Sequence, residues 1–259
     1  MYINLFDSHV HSDNSPEGRD LVTALCSAAV DKGISGICIT DACDMEEFEE
    51  QKYGKRLMYS CFAAHKAQDI FSQQLIVTNG VEMCQPLADP DRAVQVIGEN
   101  RFDFVLGSLH KTRKYGDMMM LNYVHPALDL QDVFRSYYEE LLEVVQWGHF
   151  DSLAHLTYPL RYFEGQHGVQ VDLSRFSGLI DAILSEVIIR GRSLEVNSSG
   201  WRQGMGGPLP GRELLERYRK LGGWRITIGS DAHRTADLAA DFVQTRRLLQ
   251  ELGFAGACH

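Results

Sequence analysis

The chain alternates short apolar runs with longer segments that carry apolar residues at helical spacing. The short runs are nearly continuous, which is typical of strands in a parallel sheet that is covered on both faces. The pattern predicts seven strands, at Ile3–Ser8, Ile34–Thr40, Leu75–Val81, Phe102–Leu109, Ser152–His155, Ser193–Asn197 and Arg225–Ser230.

The segment Leu130–Trp147 shows the helical pattern most clearly. Val133, Tyr137 and Leu141 fall on one face of it, and Gly148 follows its last turn, as glycine often does at the end of a helix. The same signals predict further helices at Arg19–Lys32, Tyr59–Phe71, Leu173–Arg190, Gly211–Leu221 and Ala236–Leu252, with a weaker one at Asp91–Glu99.

Strict alternation of strands and helices indicates one parallel α/β domain over residues 1–259, since no Pro/Gly/Ser-rich linker divides the chain. The two candidate architectures are a barrel and a doubly wound sheet. A doubly wound sheet usually has a glycine-rich phosphate loop after its first strand. Here the first strand runs into Asp7-Ser8-His9-Val10-His11 instead, which favours a barrel with one unit fewer than the usual eight.

Composition narrows the class of protein. With 44% hydrophobic and 23% charged residues, the chain is globular rather than disordered. Its net charge of −10 opposes binding to nucleic acid or to an anionic membrane. The six cysteines form no CxxC pair, and we expect them to be reduced. Neither a signal peptide nor a membrane-spanning apolar stretch is visible, so we expect a soluble, cytoplasmic protein.

The ends of the predicted strands carry the chemistry. In a parallel barrel these ends open on one face, where active sites lie. A single histidine there is more often structural, but the joint occurrence, with His9 and His11 on one face of a strand, favours a metal site. The residues at these ends are His9, His11, Asp41, Glu82, His110, His155, Asn197, Asp231 and His233.

The donors are imidazoles and carboxylates without a thiolate, which suits Zn, Mn or Fe and argues against a structural zinc site. They exceed the ligands of one tetrahedral ion, so we expect two or three divalent ions, with Glu82 able to bridge two of them. We assign no ligand role to the remaining histidines, His65, His125, His149, His167 and His259.

Six short motifs spread over the chain are specific when taken together: His9-Val10-His11, Thr40-Asp41, Gly80-Val81-Glu82, Gly107-Ser108-Leu109-His110, Ala154-His155 and Ser230-Asp231-Ala232-His233. In this order they resemble the polymerase and histidinol phosphatase (PHP) family of metal-dependent phosphoesterases. The segment Leu194–Gly200 resembles the histidinol-phosphatase branch. The resemblance implies a distorted (β/α)7 TIM-like barrel with a trinuclear metal site.

Carried over to this sequence, the resemblance assigns ligands to three ions. The first would be held by His9, His11, Glu82 and Asp231, the second by Glu82, His110 and His155, and the third by Glu17 and His233. The family's second motif reads Thr-Asp-His, whereas this chain has Ala42 in the third place. The third ion would then bind weakly, or a neighbour such as Cys43, or water, would replace the missing imidazole.

The resemblance implies hydrolysis of a phosphomonoester, with L-histidinol phosphate as the leading substrate. Asp231 or His233 could pass a proton to the leaving alkoxide. The expected substrate-binding residues are Arg161, Arg202, Lys111 and Asn197, and we expect Asp41 to orient a ligand imidazole. The alternatives are a PHP phosphoesterase for phosphotyrosine, a nucleotide or another small ester, a metal-binding variant impaired by Ala42, and an amidohydrolase barrel.

Overall fold

The structure is a computed structural model that describes residues 5–123 and 125–254. Ten strands are assigned in the described residues: β1 (Phe6–Val10), β2 (Gly36–Ile39), β3 (Ala42–Asp44), β4 (Ile76–Cys84), β5 (Phe104–Ser108), β6 (Lys111–Thr112), β7 (Gly116–Asp117), β8 (Ser152–Leu153), β9 (Ser193–Asn197) and β10 (Ile226–Gly229). The α-helices are α1 (Val22–Asp31), α2 (Tyr53–Phe71), α3 (Pro90–Asn100), α4 (Leu130–Trp147), α5 (Ser177–Ile189), α6 (Ser199–Arg202), α7 (Arg212–Lys220) and α8 (Phe242–Glu251).

Seven parallel strands form a nearly closed barrel in the order β1-β2-β4-β5-β8-β9-β10, and β3 pairs with the end of β4. Backbone bonds close the barrel between its first and last strands: His11 N–H donates to the carbonyl of Ala232 at 2.8 Å, and Asp231 N–H donates to that of His9 at 2.9 Å. The expected (β/α)7 TIM-like barrel is confirmed. Its strand β8 has only two residues, which makes the barrel irregular.

The helices pack on the outside of the barrel and bury the predicted apolar faces. Helix α4 has the predicted bounds, with Val133, Tyr137 and Leu141 fully buried. The carboxylate of Asp129 accepts hydrogen bonds from the first turn, and Gly148 ends the helix with a positive φ of 71°. The side chains that face the barrel are therefore buried between the helices and the sheet.

Several predicted bounds were wrong. Strand β4 runs to Cys84, so Glu82 lies inside it, and helix α2 begins at Tyr53 rather than Tyr59 because its buried face consists partly of small residues. The last helix begins at Phe242 instead of Ala236, since Ala239 and Asp241 adopt left-handed backbone conformations.

The predicted helix Leu173–Arg190 is a 3₁₀ turn followed by α5. Ile3 and Asn4 of the first predicted strand lie outside the described residues. Five cysteines are free, as expected, and Cys258 lies outside the described residues. Among the helices of the described part of the chain, none has the length and apolar character needed to span a membrane.

Candidate metal centre

The first group of possible metal ligands joins the two ends of the barrel sheet. His9 and His11 point to one face because they are two residues apart at the end of β1. Asp231 follows β10, and its Oδ1 lies 3.7 Å from Nε2 of His9 and 3.6 Å from Nε2 of His11. All three residues are buried, and their ligand atoms lie within 4.8 Å of one another. This spacing suits a single divalent cation.

The second group lies at the neighbouring strand ends. Glu82 Oε1 is 3.0 Å from Nε2 of His155, which follows β8, and 3.2 Å from Nε2 of His110, which follows β5. The other oxygen of Glu82, Oε2, faces the first group, at 3.6 Å from Nε2 of His11 and 3.8 Å from Nε2 of His9. The carboxylate of Glu82 therefore lies between the two groups, where it could bridge two ions.

Hydrogen bonds behind the first group fix how its imidazoles face each other. Nδ1 of His9 donates to Oε1 of Glu195 at 2.7 Å. The hydroxyl of Ser15 donates to Oδ1 of Asp41, so it accepts a hydrogen bond from Nδ1 of His11 at 3.0 Å. Both Nε2 atoms are then free of a proton in neutral imidazoles, yet they lie only 2.9 Å apart. Two lone pairs at this distance require a proton or a metal cation between them, so the residues fit a metal.

The ionisation of the groups fits the same conclusion. Burial alone would raise the pKa of Glu82, but the surrounding imidazoles, led by His110, outweigh it and hold that pKa well below its usual value. The pKa of Asp231 is likewise held well below its usual value, because His9 and Arg161 outweigh the effect of burial. Both carboxylates are therefore ionised and able to bind a cation.

The expected third position is incomplete. Nε2 of His233 lies 3.9 Å from Oε2 of Glu17, and His233 stacks on His11 with 4.3 Å between ring centroids. Ala42 lines the same cavity and offers no donor atom. In the described residues, only two groups supply three or more ligand atoms each.

The suggested replacement by Cys43 is wrong. The side chains of β3 alternate, so Ala42 and Asp44 line the cavity while Cys43 is fully buried in the apolar core. Burial also raises the pKa of its thiol, which opposes formation of the thiolate that a metal would need.

Both groups open into one cavity of about 200 Å³ at the carboxyl ends of the strands. Arg161 lines it, donates through Nη2 to Oδ2 of Asp231 at 3.1 Å, and has its guanidinium carbon 4.5 Å from the centroid of the Tyr158 ring. The guanidinium of Arg161 therefore lies beside both ligand groups, where it could bind a phosphoryl group.

The structure gives the other expected substrate-binding residues different surroundings. Lys111 lines the cavity but forms ion pairs with Asp44, Glu46 and Glu47. Arg202 and Asn197 are not among the residues that line the cavity. Arg202 donates to the backbone carbonyls of Ser230 and Asp231, at 2.6 and 3.1 Å.

Asn197 is fully buried, and its Nδ2 donates to Oδ2 of Asp231 at 3.3 Å. Arg202 and Asn197 thus both contact Asp231, and their expected role in substrate binding stays a prediction. Asp41 reaches an imidazole only through Ser15, which lies between it and His11.

Sequence reasoning missed two buried carboxylates. Glu195 accepts from Nδ1 of His9 and from the backbone N–H of His155, each at 2.7 Å. Asp7 accepts from the backbone N–H of Ser230 at 2.8 Å and from its hydroxyl at 2.5 Å. Each interrupts an apolar strand, and this is the signal that could have identified them, because a carboxylate there must be paired. Of the unassigned histidines, His65, His125, His149 and His167 do not line the cavity, and His259 lies outside the described residues.

Comparisons with known proteins agree with this geometry. The sequence model of one family, described as the PHP domain, matches residues 7–199. The chain is 27% identical over 256 residues to a probable histidinol-phosphatase of Thermotoga maritima, covering 96% of this chain and 93% of the relative. It is 26% identical over 255 residues to a histidinol-phosphatase of Lactococcus lactis, covering 96% of this chain and 91% of the relative.

Among solved structures, the chain resembles the histidinol phosphate phosphatase of Lactococcus lactis in complex with zinc, L-histidinol and phosphate. The TM-score is 0.78 at 22% identity, with 97% of this chain and 94% of that chain covered. A structure from Listeria monocytogenes, described as that of a putative histidinol phosphatase, gives a TM-score of 0.77 at 17% identity, covering 92% of this chain and 99% of that chain. At these identities the structural likeness establishes the shared fold.

Proposed function

The chain belongs to the PHP family, and from that membership we propose that it is a metal-dependent phosphomonoester hydrolase that converts L-histidinol phosphate and water to L-histidinol and phosphate. The observation that carries the proposal is the pair of ligand groups that share Glu82, with Arg161 beside them. Relatives named histidinol-phosphatase, matched over nearly the whole chain, support the substrate. The activity belongs to histidine biosynthesis, and we propose a cytoplasmic location.

We propose that the chain holds two divalent ions. His9, His11 and Asp231 would hold one, His110 and His155 the other, and Glu82 would bridge them. When bound, such ions lower the pKa of a water molecule and neutralise charge on the phosphoryl oxygens. The zinc named in the similar Lactococcus structure favours Zn over Mn or Fe. Asp231 follows β10 and lies beyond the residues that the family model matches, yet it belongs to the first ligand group. We therefore propose that residues 1–259 form a single PHP domain.

Arg161 would bind the phosphoryl group. Its guanidinium is largely buried and already oriented by Asp231 and Tyr158, so little side-chain entropy would be lost on binding. Its planar donors suit a bidentate contact with two phosphoryl oxygens.

His233 is our candidate for the proton donor to the leaving alkoxide. It lines the cavity and belongs to neither complete ligand group. Its side chain is 31% exposed, so it can exchange protons with solvent. Asp231 suits this role less, because its strongly lowered pKa keeps it ionised and available as a ligand.

The charge of the cavity wall supports a cationic alcohol as the leaving group. Asp44, Glu46 and Glu47 surround the single ammonium of Lys111, which leaves an excess of negative charge on this side. The amine of L-histidinol would be attracted to such a wall, whereas a nucleotide with further phosphates would be repelled.

The experiment is phosphate release from a panel of esters: L-histidinol phosphate, phosphotyrosine peptides, nucleotides and simple alkyl phosphates, each with added Zn²⁺, Mn²⁺ or Fe²⁺. We expect the highest kcat/KM for L-histidinol phosphate, and loss of activity in a Glu82→Gln variant. A preference for another ester would make that ester the substrate. If neither the chain nor its Ala42→His variant released phosphate from any ester, the hydrolase proposal would be wrong.

A further inference from the structure

One buried carboxylate contacts both ligand groups from behind. Glu195 lies in the middle of β9 and is fully buried. Its Oε1 accepts a hydrogen bond from Nδ1 of His9 at 2.7 Å, and its Oε2 accepts one from the backbone N–H of His155 at 2.7 Å. A third bond comes from Nδ2 of Asn197 at 3.2 Å. Glu195 is not among the residues lining the cavity, so it would act on the metal centre only through other residues.

In the first group, Glu195 determines which nitrogen of His9 faces the other ligands. A neutral imidazole carries one N–H, and the carboxylate can only accept, so the proton is fixed on Nδ1. The lone pair of Nε2 then points toward His11, Asp231 and Glu82. An imidazole held in this way is oriented and made more basic as a ligand.

In the second group, Glu195 acts on the backbone. His155 has a positive φ of 23°, in a region that residues with a Cβ rarely occupy. Such a conformation persists when surrounding contacts stabilise it, and the bond from His155 N–H to Glu195 is one such contact. With the peptide held there, Nε2 of His155 lies 3.0 Å from Oε1 of Glu82.

The approach of Glu195 to His9 depends on a residue without a side chain. Gly229, at the end of β10, packs against both of them. A Cβ at this position would collide with Oε1 of Glu195 and with Cβ of His9. Alanine at position 229 would therefore push the two partners apart.

We propose that Glu195 is the positioning residue that couples the two metal-ligand groups, fixing the tautomer of His9 and the backbone of His155, with Gly229 leaving the space that this requires. The inference rests on the proposed metal centre but does not depend on which phosphate ester is hydrolysed. It predicts that metal affinity falls when Glu195 can no longer accept from both His9 and His155.

The test uses Glu195→Gln, which keeps the shape of the side chain but replaces one accepting oxygen with a donor. The amide cannot accept from both His9 and His155, so one ligand group is misoriented. We expect Zn²⁺ affinity, measured by competition with a chelator, to fall roughly 10- to 100-fold. The matched control is Asp103→Asn, a carboxylate that accepts a backbone N–H from Asn79 at 3.0 Å and does not line this cavity. The control should bind Zn²⁺ as the parent chain does.

A second measurement reports the tautomer of His9 directly. Imidazole ¹⁵N NMR of the parent chain with bound Zn²⁺ should show the His9 proton on Nδ1, and Glu195→Gln should change that signal. Parental Zn²⁺ affinity in Glu195→Gln, or a His9 proton on Nε2, would overturn the inference. Normal Zn²⁺ binding by the parent without phosphate release from any ester would instead overturn the proposed function and leave this inference standing.

Discussion

Metal binding should release protons in a number that the structure predicts. In each ligand group one imidazole has a raised pKa and one a lowered pKa. Burial would lower the pKa of His9, but Glu195 and Asp231 outweigh it and raise that pKa well above its usual value. Burial and the neighbouring imidazoles hold the pKa of His11 well below its usual value. The metal-free first group therefore keeps one proton between its two Nε2 atoms, and a metal ion must displace that proton.

The second group repeats the arrangement. Burial would lower the pKa of His110, but the carboxylate of Glu82 outweighs it and raises that pKa. Burial lowers the pKa of His155. Glu82 itself stays ionised and has no proton to lose. Since protonated imidazoles compete with metal, affinity at each group should fall about tenfold per pH unit below the raised pKa and become constant above it.

Calorimetric metal titrations at pH 7.5, in buffers of different ionisation enthalpy, measure the released protons. Four imidazoles with ordinary pKa values would together hold about 0.4 proton at this pH. The structure predicts more than this, because His9 keeps the proton between the two Nε2 atoms and the pKa of His110 is also raised. NMR titration of the metal-free protein separates these protons from any lost by bound water. Four imidazoles that all titrate near pH 6.5 would refute the reasoning.

Three further outcomes are expected. Ala42→His adds a donor beside Glu17 and His233, so the metal content of metal-replete protein, measured by elemental analysis, should rise from two equivalents per chain to three. An unchanged metal content would contradict the incomplete third position. Arg161→Lys keeps the charge but loses the bidentate contact, so kcat/KM should fall roughly 100-fold, while the surface variant Arg113→Lys should not change it. His233→Asn should slow hydrolysis of L-histidinol phosphate by about 10²-fold or more and affect p-nitrophenyl phosphate little, because that leaving group needs no proton; equal losses on both esters would exclude His233 as the donor.

The parts of the fold that follow a regular local pattern could be predicted from the sequence. Helix α4 has the predicted bounds because its apolar face and its closing glycine agree. Helix α8 was placed too early because the backbone turns at Ala239 and Asp241 have no glycine to mark them. The ligand residues could be found because histidines and acids at strand ends are unusual in an apolar pattern. Asn197 ends β9 and Arg202 follows that strand. Sequence position alone does not distinguish a side chain that faces the cavity from one that contacts Asp231.

The two ligand groups differ in what they require of the fold. Glu82 lies in β4, while His110 follows β5 and His155 follows β8. These three strands are neighbours in the sheet, so this group can form on an open sheet. The group of His9, His11 and Asp231 joins the first strand to the last, so it exists only once the barrel has closed. Asp7 supports this closure by accepting two bonds from Ser230, 223 positions along the chain, and one from the backbone N–H of Ala239 at 2.8 Å.

Asp7 is fully buried, and burial raises its pKa above the ordinary value even though these hydrogen bonds oppose the shift. Independently of this shift, its hydrogen bonds satisfy buried groups of Ser230 and Ala239 that would otherwise lack partners. The first ligand group depends on that closure, while the second does not. Glu195 and Glu82 contact both groups, so these two carboxylates are the links through which a change in the first group would affect the second.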